Sequence, residues 1–120
     1  MGWGVVRYFR LAARRRRLAQ RRLIDFHKDW RAHQESGRLV ADVSALLRRY
    51  AIAVDGRDHV AGLSGKAWID HLNSGAAGPL FGDRLAQHLL KTPYQKQAKP
   101  MTEAEVLNFL SACRQWLAAQ

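Results

Sequence analysis

RLAARRRRLAQRRLIDFHKDW, residues 10 to 30, decides the fold, because one uninterrupted stretch changes character halfway along. From about Val5 to Gln34 no proline or glycine intervenes, and alanine, leucine and arginine dominate, which predicts one long helix. In its second half Ala19, Leu23, Phe26 and Trp30 recur at helical spacing and form an apolar face, whereas the first half carries arginine on every side. Only the second half can pack. Of the thirteen residues from Arg10 to Arg22, seven are arginine and none is acidic, so the first half needs an anionic partner.

Downstream, Ser36 and Gly37 break the pattern, and Leu39, Val43, Leu46, Leu47, Tyr50 and Val54 then mark a second helix at spacings of three and four. DGRD, residues 55 to 58, reads as a turn, and HVAGL behind it as a short irregular connector. Ser64 stands where an N-cap belongs, ahead of a short helix that turns Trp68, Ile69 and Leu72 inward. NSGAAGPLFG, residues 73 to 82, is a loop by its three glycines and a proline. A helix from about Asp83 to Leu90 follows, with Leu85 and Leu89 inward, and Pro93 ends it. After the polar connector TPYQKQAKP, Thr102 and Glu105 match a capping box, and Val106, Phe109, Leu110, Cys113, Trp116 and Leu117 trace one helical face. No alternating strand pattern persists and no repeat occurs. The expected class is all-α: a long basic N-terminal helix followed by a compact bundle of about four shorter helices, with residues 1–35 as the basic helix and 36–120 as the globular domain.

The totals agree with one domain, since 120 residues suffice for a modest core without metal or disulfide staples. The formal net charge of +10 is unevenly placed: residues 1 to 22 hold eight arginines and no acid, whereas the remainder holds twelve bases and ten acids. That is a basic appendage on a nearly balanced body. The single cysteine, Cys113, allows no internal disulfide and falls on the apolar face of the last helix, where a thiol is inert. No run of eighteen apolar residues exists, so the stretch in hand reads as soluble. Trp3, Tyr8 and Phe9 nevertheless precede the arginine block that begins at Arg10, the order found where a spanning helix leaves a membrane into the cytoplasm.

The candidate binding residues are therefore Arg7, Arg10, Arg14, Arg15, Arg16, Arg17, Arg21 and Arg22. Arg10 with Arg14, and Arg17 with Arg21, are like charges four apart, each pair costing about 0.2–0.5 kcal/mol on an isolated helix. An anionic leaflet would relieve them, and so would nucleic acid. The body lacks helix-turn-helix spacing, zinc-finger ligands and RNP-type aromatic strands, which favours the membrane surface over nucleic acid.

Other motifs read as structural. GLSGKAW, residues 62 to 68, resembles a phosphate-binding loop only in part, because Val60 stands where a glycine is required and Ala67 where a serine or threonine is required. His27, His33, His59, His71 and His88 show no metal-ligand spacing, and His33 with Asp29 reads as a surface hydrogen bond. Asp55 and Asp58 flank Arg57 as a solvated turn, Ser44, Ser64, Ser74 and Ser111 lack an elbow motif, and Trp30, Trp68 and Trp116 read as a shared aromatic core. No catalytic residue, metal or cofactor is expected. A deep polar pocket holding His59 or His71 would point to an enzyme instead.

Three stretches carry a resemblance: LLRRYAIA at 46–53, VAGLSGKAWIDHL at 60–72 and TPYQ at 92–95, in this order behind an arginine-rich helix. Together they resemble a bacterial family of uncharacterised small membrane proteins encoded beside MoxR-type AAA+ ATPases and von Willebrand factor A domain proteins, in aerotolerance-type operons. The likeness spans nearly the whole chain, with GLSGKAW its most specific part. It implies a helical domain on the cytoplasmic face of the bacterial inner membrane, hung from one transmembrane helix with the arginines as its positive-inside flank. GWGVVRYF would be the tail of that helix, or else the chain starts late and only touches the membrane. No functional residues transfer. The expectation is a non-enzymatic, membrane-proximal adaptor or scaffold binding anionic inner-leaflet lipid and protein partners, among them the AAA+ ATPase and von Willebrand A proteins. The alternative is a small nucleic-acid-binding protein using the same arginines.

Overall fold

The computed structural model describes residues 2–92 and 99–120, so Pro93 and most of TPYQKQAKP lie outside the described residues. Six helices follow one another: α1 (Gly2–His33), α2 (Ser36–Asp55), α3 (Arg57–Val60), α4 (Gly65–Asn73), α5 (Asp83–Lys91) and α6 (Glu103–Ala118). Among the described residues there is no strand, and the class is all-α. At about 1.5 Å per residue, α1 alone reaches roughly 48 Å, which sets the longest dimension of the molecule at 54 Å.

The chain reverses at Gln34, a left-handed residue (φ 58°) whose amide donates to the Trp30 carbonyl at 2.7 Å. This hairpin lays α2 back along α1, and α6 packs on α1 as well. Ala19, Leu23, Phe26 and Trp30 are buried, as their spacing predicts, against Leu39, Val43 and Leu47 of α2 and Val106, Phe109, Cys113 and Trp116 of α6. The capping box at α6 is complete: the Glu105 amide donates to Thr102 Oγ1 (3.1 Å), and the Thr102 amide donates to Glu105 Oε1 (3.2 Å). Such a cap stabilises a helix by about 1 kcal/mol. Close by, the Met101 amide donates to the buried Ser36 hydroxyl at 2.8 Å, tying the start of α2 to the approach to α6. Gly37 faces the Thr92 carbonyl so closely that a Cβ would stand 3.3 Å from it. A glycine is what lets α2 and the end of α5 meet there.

Several expectations change. Among the described residues the four expected shorter helices follow α1, with one further helical turn, α3, to which HVAGL contributes. Gly56, at φ 94°, ends α2 and lets a new helix restart at once, with Asp58 in its first turn. Val54 is 44% exposed despite its place in the α2 stripe, one residue from the end of that helix. Leu85 is only half-buried. Ser64 does sit at the N-cap of α4 in extended conformation, but its hydroxyl makes no capping bond.

The GLSGKAW block is held by a residue that its own sequence does not reveal. Arg48 Nη1, from α2, donates to the Val60 carbonyl at 2.9 Å and to the Leu63 carbonyl, while its guanidinium lies 4.1 Å from the centre of the Trp68 ring. Two of the stretches that carry the family resemblance therefore meet in space, and their junction is architectural. A charged hydrogen bond contributes about 1.5–3 kcal/mol, so we expect Arg48→Met to lower the unfolding free energy by roughly 2–4 kcal/mol. Urea denaturation measures it, and a loss no larger than that of a surface substitution would contradict the clamp.

NSGAAGPLFG is likewise closed on itself. Asn73 Nδ2 donates to the Phe81 carbonyl (3.0 Å), and the Phe81 amide donates back to Asn73 Oδ1 (2.8 Å). This two-way clasp delivers the Phe81 ring into the core at 2% exposure.

Candidate functional site

The start of α1, up to Leu11, stands clear of the body. Trp3, Tyr8 and Phe9 are 85%, 68% and 63% exposed, and Val5, Val6 and Leu11 are exposed with them. The eight arginines are not equivalent. Arg7, Arg10, Arg14, Arg17 and Arg21 follow at alternating intervals of three and four, so they share one helical face, headed by Trp3 four residues earlier. That face points roughly opposite to the buried line of Ala19, Leu23, Phe26 and Trp30. All five are exposed, and they span about 21 Å along the axis at the helical rise.

Arg15, Arg16 and Arg22 leave this row. Arg16 is half-buried and donates to the Gln120 carbonyl at 2.7 Å, and Gln20 Nε2 donates to the Arg114 carbonyl at 3.0 Å, so both fasten α1 to the end of α6. Arg22 lies 5.2 Å from the centre of the Phe26 ring. Arg15 and Arg22 edge a groove between α1 and α2. Among the described residues none of the eight pairs with a side-chain carboxylate. The first acid of the chain is Asp25. Four like-charge contacts in the row, each costing about 0.2–0.5 kcal/mol, are thus left uncompensated by the body.

Glu35, Asp55, Asp70, Glu103 and Glu105 pair with other bases. Glu103 Oε1 accepts from Arg31 Nη2 at 3.0 Å and lies 3.3 Å from His27 Nε2, joining the packed half of α1 to the start of α6. The Arg31 hydrogen bond, with His27 behind it, holds the Glu103 carboxyl below its ordinary value despite some desolvation. A carboxyl depressed in the folded state adds stability above its unfolded pKa and loses it as pH falls through the folded one. Glu103→Gln should therefore melt below the wild type at pH 7, and the gap should close as pH drops beneath the ordinary glutamate range. Thermal melts by circular dichroism from pH 7 to pH 3 read this, and a gap that widens on acidification would overturn it.

Histidines serve similar ends. His33 Nδ1 accepts from the Glu35 amide at 2.8 Å, a helix-end contact in place of the expected Asp29 pairing, because the turn at Gln34 swings Glu35 back over the ring. His71 Nε2 lies 2.9 Å from Asp55 Oδ2 and its ring stacks on Trp68. Asp55, which sequence reasoning assigns to a solvated turn, instead ties the end of α2 to α4. Asp55, His59, Asp70 and His71 line a basin that is open to solvent. Among the described residues no three His, Cys, Asp or Glu side chains gather to hold a metal ion. Cys113 is wholly buried, and burial pushes its thiol far up. Lys66, of the partial phosphate-loop motif, points outward and pairs with Asp70 at 3.3 Å.

Architecture and surface together define a small all-α protein with a cationic helical arm. The chain belongs to the family described as Domain of unknown function (DUF4381), which matches residues 1–119. No curated protein and no solved structure matches it. No helix among the described residues is long and apolar enough to cross a membrane.

Proposed function

We propose that this protein is a non-enzymatic adaptor held at an anionic membrane surface, the cytoplasmic face of a bacterial inner membrane, with its helical body offered to protein partners. One observation carries this reading: the row Arg7, Arg10, Arg14, Arg17 and Arg21 lies on the side of α1 away from the body and, among the described residues, pairs with no carboxylate. A helix resting this row on a charged plane keeps the body clear of that plane. The exposed Trp3, Val5, Val6 and Phe9 at the tip favour lipid over nucleic acid, since aromatic and aliphatic groups gain by entering the interface while arginines meet the headgroups. The resemblance to proteins encoded with MoxR-type AAA+ ATPases and von Willebrand A proteins supplies the partner candidates.

The test is co-sedimentation with neutral and with phosphatidylglycerol-containing vesicles, beside a mobility-shift assay on a short DNA duplex at the same salt. Binding that requires the anionic lipid supports the reading. Equal binding to both vesicle types, or tighter binding to the duplex, overturns it. Cross-linking to a purified MoxR-type ATPase and a von Willebrand A protein tests the adaptor role separately.

A further inference from the structure

The groove between α1 and α2 carries an inference about the partner. Its floor is apolar, formed by Leu18 of α1 and by Leu46 and Ala53 of α2, and its edges carry Arg15, Arg22 and Arg49. It encloses about 330 Å³. Leu18 is 52% exposed, and Leu11, seven residues earlier on the same face, is 53% exposed. Leu11, Arg15, Leu18 and Arg22 alternate at intervals of four, three and four, the seam spacing of a helix that expects another helix alongside it. Arg15 lines the groove with Ala53, two residues from the end of α2, and Leu11 stands one turn further along α1, so the seam runs on past the groove.

We propose that this groove docks an acidic amphipathic helix of a partner protein, its apolar face on Leu11, Leu18 and Leu46 and its flanking carboxylates on Arg15, Arg22 and Arg49. The inference rests on the reading of the body as an adaptor and names its surface and the chemistry of its partner. Charge complementarity selects the occupant. All three edge arginines are cationic groups without a carboxylate partner among the described residues, and a second copy of a chain with net charge +10 would be repelled. Geometry separates this groove from the lipid row, because Leu11, Leu18 and Arg22 lie about a quarter-turn round the helix from Arg10, Arg14 and Arg17. With that row on the membrane, the groove opens sideways into water. Helix-in-groove recognition needs apolar anchors at intervals of three, four and seven, and the exposed leucines supply the receiving surface.

The probe is a fluorescein-labelled sixteen-residue peptide with leucines along one helical face and glutamates elsewhere, followed by fluorescence anisotropy in 0.15 M salt without lipid. Two triple variants remove equal charge: R15Q/R22Q/R49Q at the groove and R10Q/R14Q/R17Q on the lipid row. The expected result is at least tenfold weaker binding for the groove triple and for Leu18→Ser, and less than threefold for the row triple. Equal loss in both triples, or no effect of Leu18→Ser, reduces binding to diffuse charge and overturns the proposal. Absence of binding by the wild type also overturns it, while the adaptor reading is judged separately by cross-linking to the operon proteins. Should the groove triple weaken vesicle binding more than the row triple does, the groove holds lipid headgroups and the helix proposal falls.

Discussion

Trp116→Ala should lower the unfolding free energy by about 3–5 kcal/mol, the usual range for removing a large aromatic side chain from a packed interior. A domain of ordinary stability holds only about 5–15 kcal/mol, so this one change takes a large share of the total. The structural reason is position. Trp116 is 2% exposed, it presents an edge-on contact to Tyr50 of α2 with ring centres 5.9 Å apart, and it lies on the α6 face that also buries Phe109 and Cys113. Its loss opens a cavity between α6 and α2, whose walls are held by helices and can collapse only partly. Burial also pushes the Tyr50 phenol up against the pull of Arg16 and Arg15. Trp3→Ala provides the contrast: the residue is 85% exposed, and its removal should stay within about 0.5 kcal/mol. Urea titrations followed by far-ultraviolet circular dichroism measure both, and similar midpoints for the two variants would refute the core assigned to α6.

The parts of this fold that sequence makes legible are those where periodicity and local chemistry agree. The last helix shows this best, because Thr102 and Glu105 fix its start and Val106, Phe109, Leu110, Cys113, Trp116 and Leu117 all turn inward. The packed half of α1 is equally clear. Periodicity is silent where elements are too short or the chain is irregular, and so Val60 enters the core from the four-residue α3, and Phe81 and Met101 from loops, without a pattern to announce them. Arg48 escapes for another reason. Its role depends on two carbonyls twelve and fifteen residues away, and a lone arginine beside Arg49 in a helix carries no mark that one is an anchor and the other a surface charge. The arginine block is plain in the sequence, but its division is not. Which arginines form the outward row depends on where the body sits, and only the packed positions of Ala19, Leu23, Phe26 and Trp30 fix that direction.

Changing Arg10, Arg14, Arg17 and Arg21 together to glutamine should weaken binding to phosphatidylglycerol vesicles by about a thousandfold, since each arginine near an anionic surface contributes about 1 kcal/mol. Glutamine matches arginine closely in helix propensity, and removing repulsion within the row relieves the helix, so the variant should melt no lower than the wild type. A change in binding is then a change in the surface rather than in the fold. The control removes the same charge from exposed body positions, Arg57, Arg84, Lys91 and Lys99, which do not share the arm's outward face. Screening distinguishes the two sets further. With a Debye length of about 8 Å at 0.15 M salt, only charges held near the headgroups act strongly, so raising salt should erase wild-type binding far more than the residual binding of the row variant. What persists at high salt is the apolar share, and Trp3 reports it through the blue shift of its emission on entering the interface. Vesicle affinities that fall equally in the row and body variants would mean that net charge alone governs binding, and the outward row would then have no part in orienting the protein.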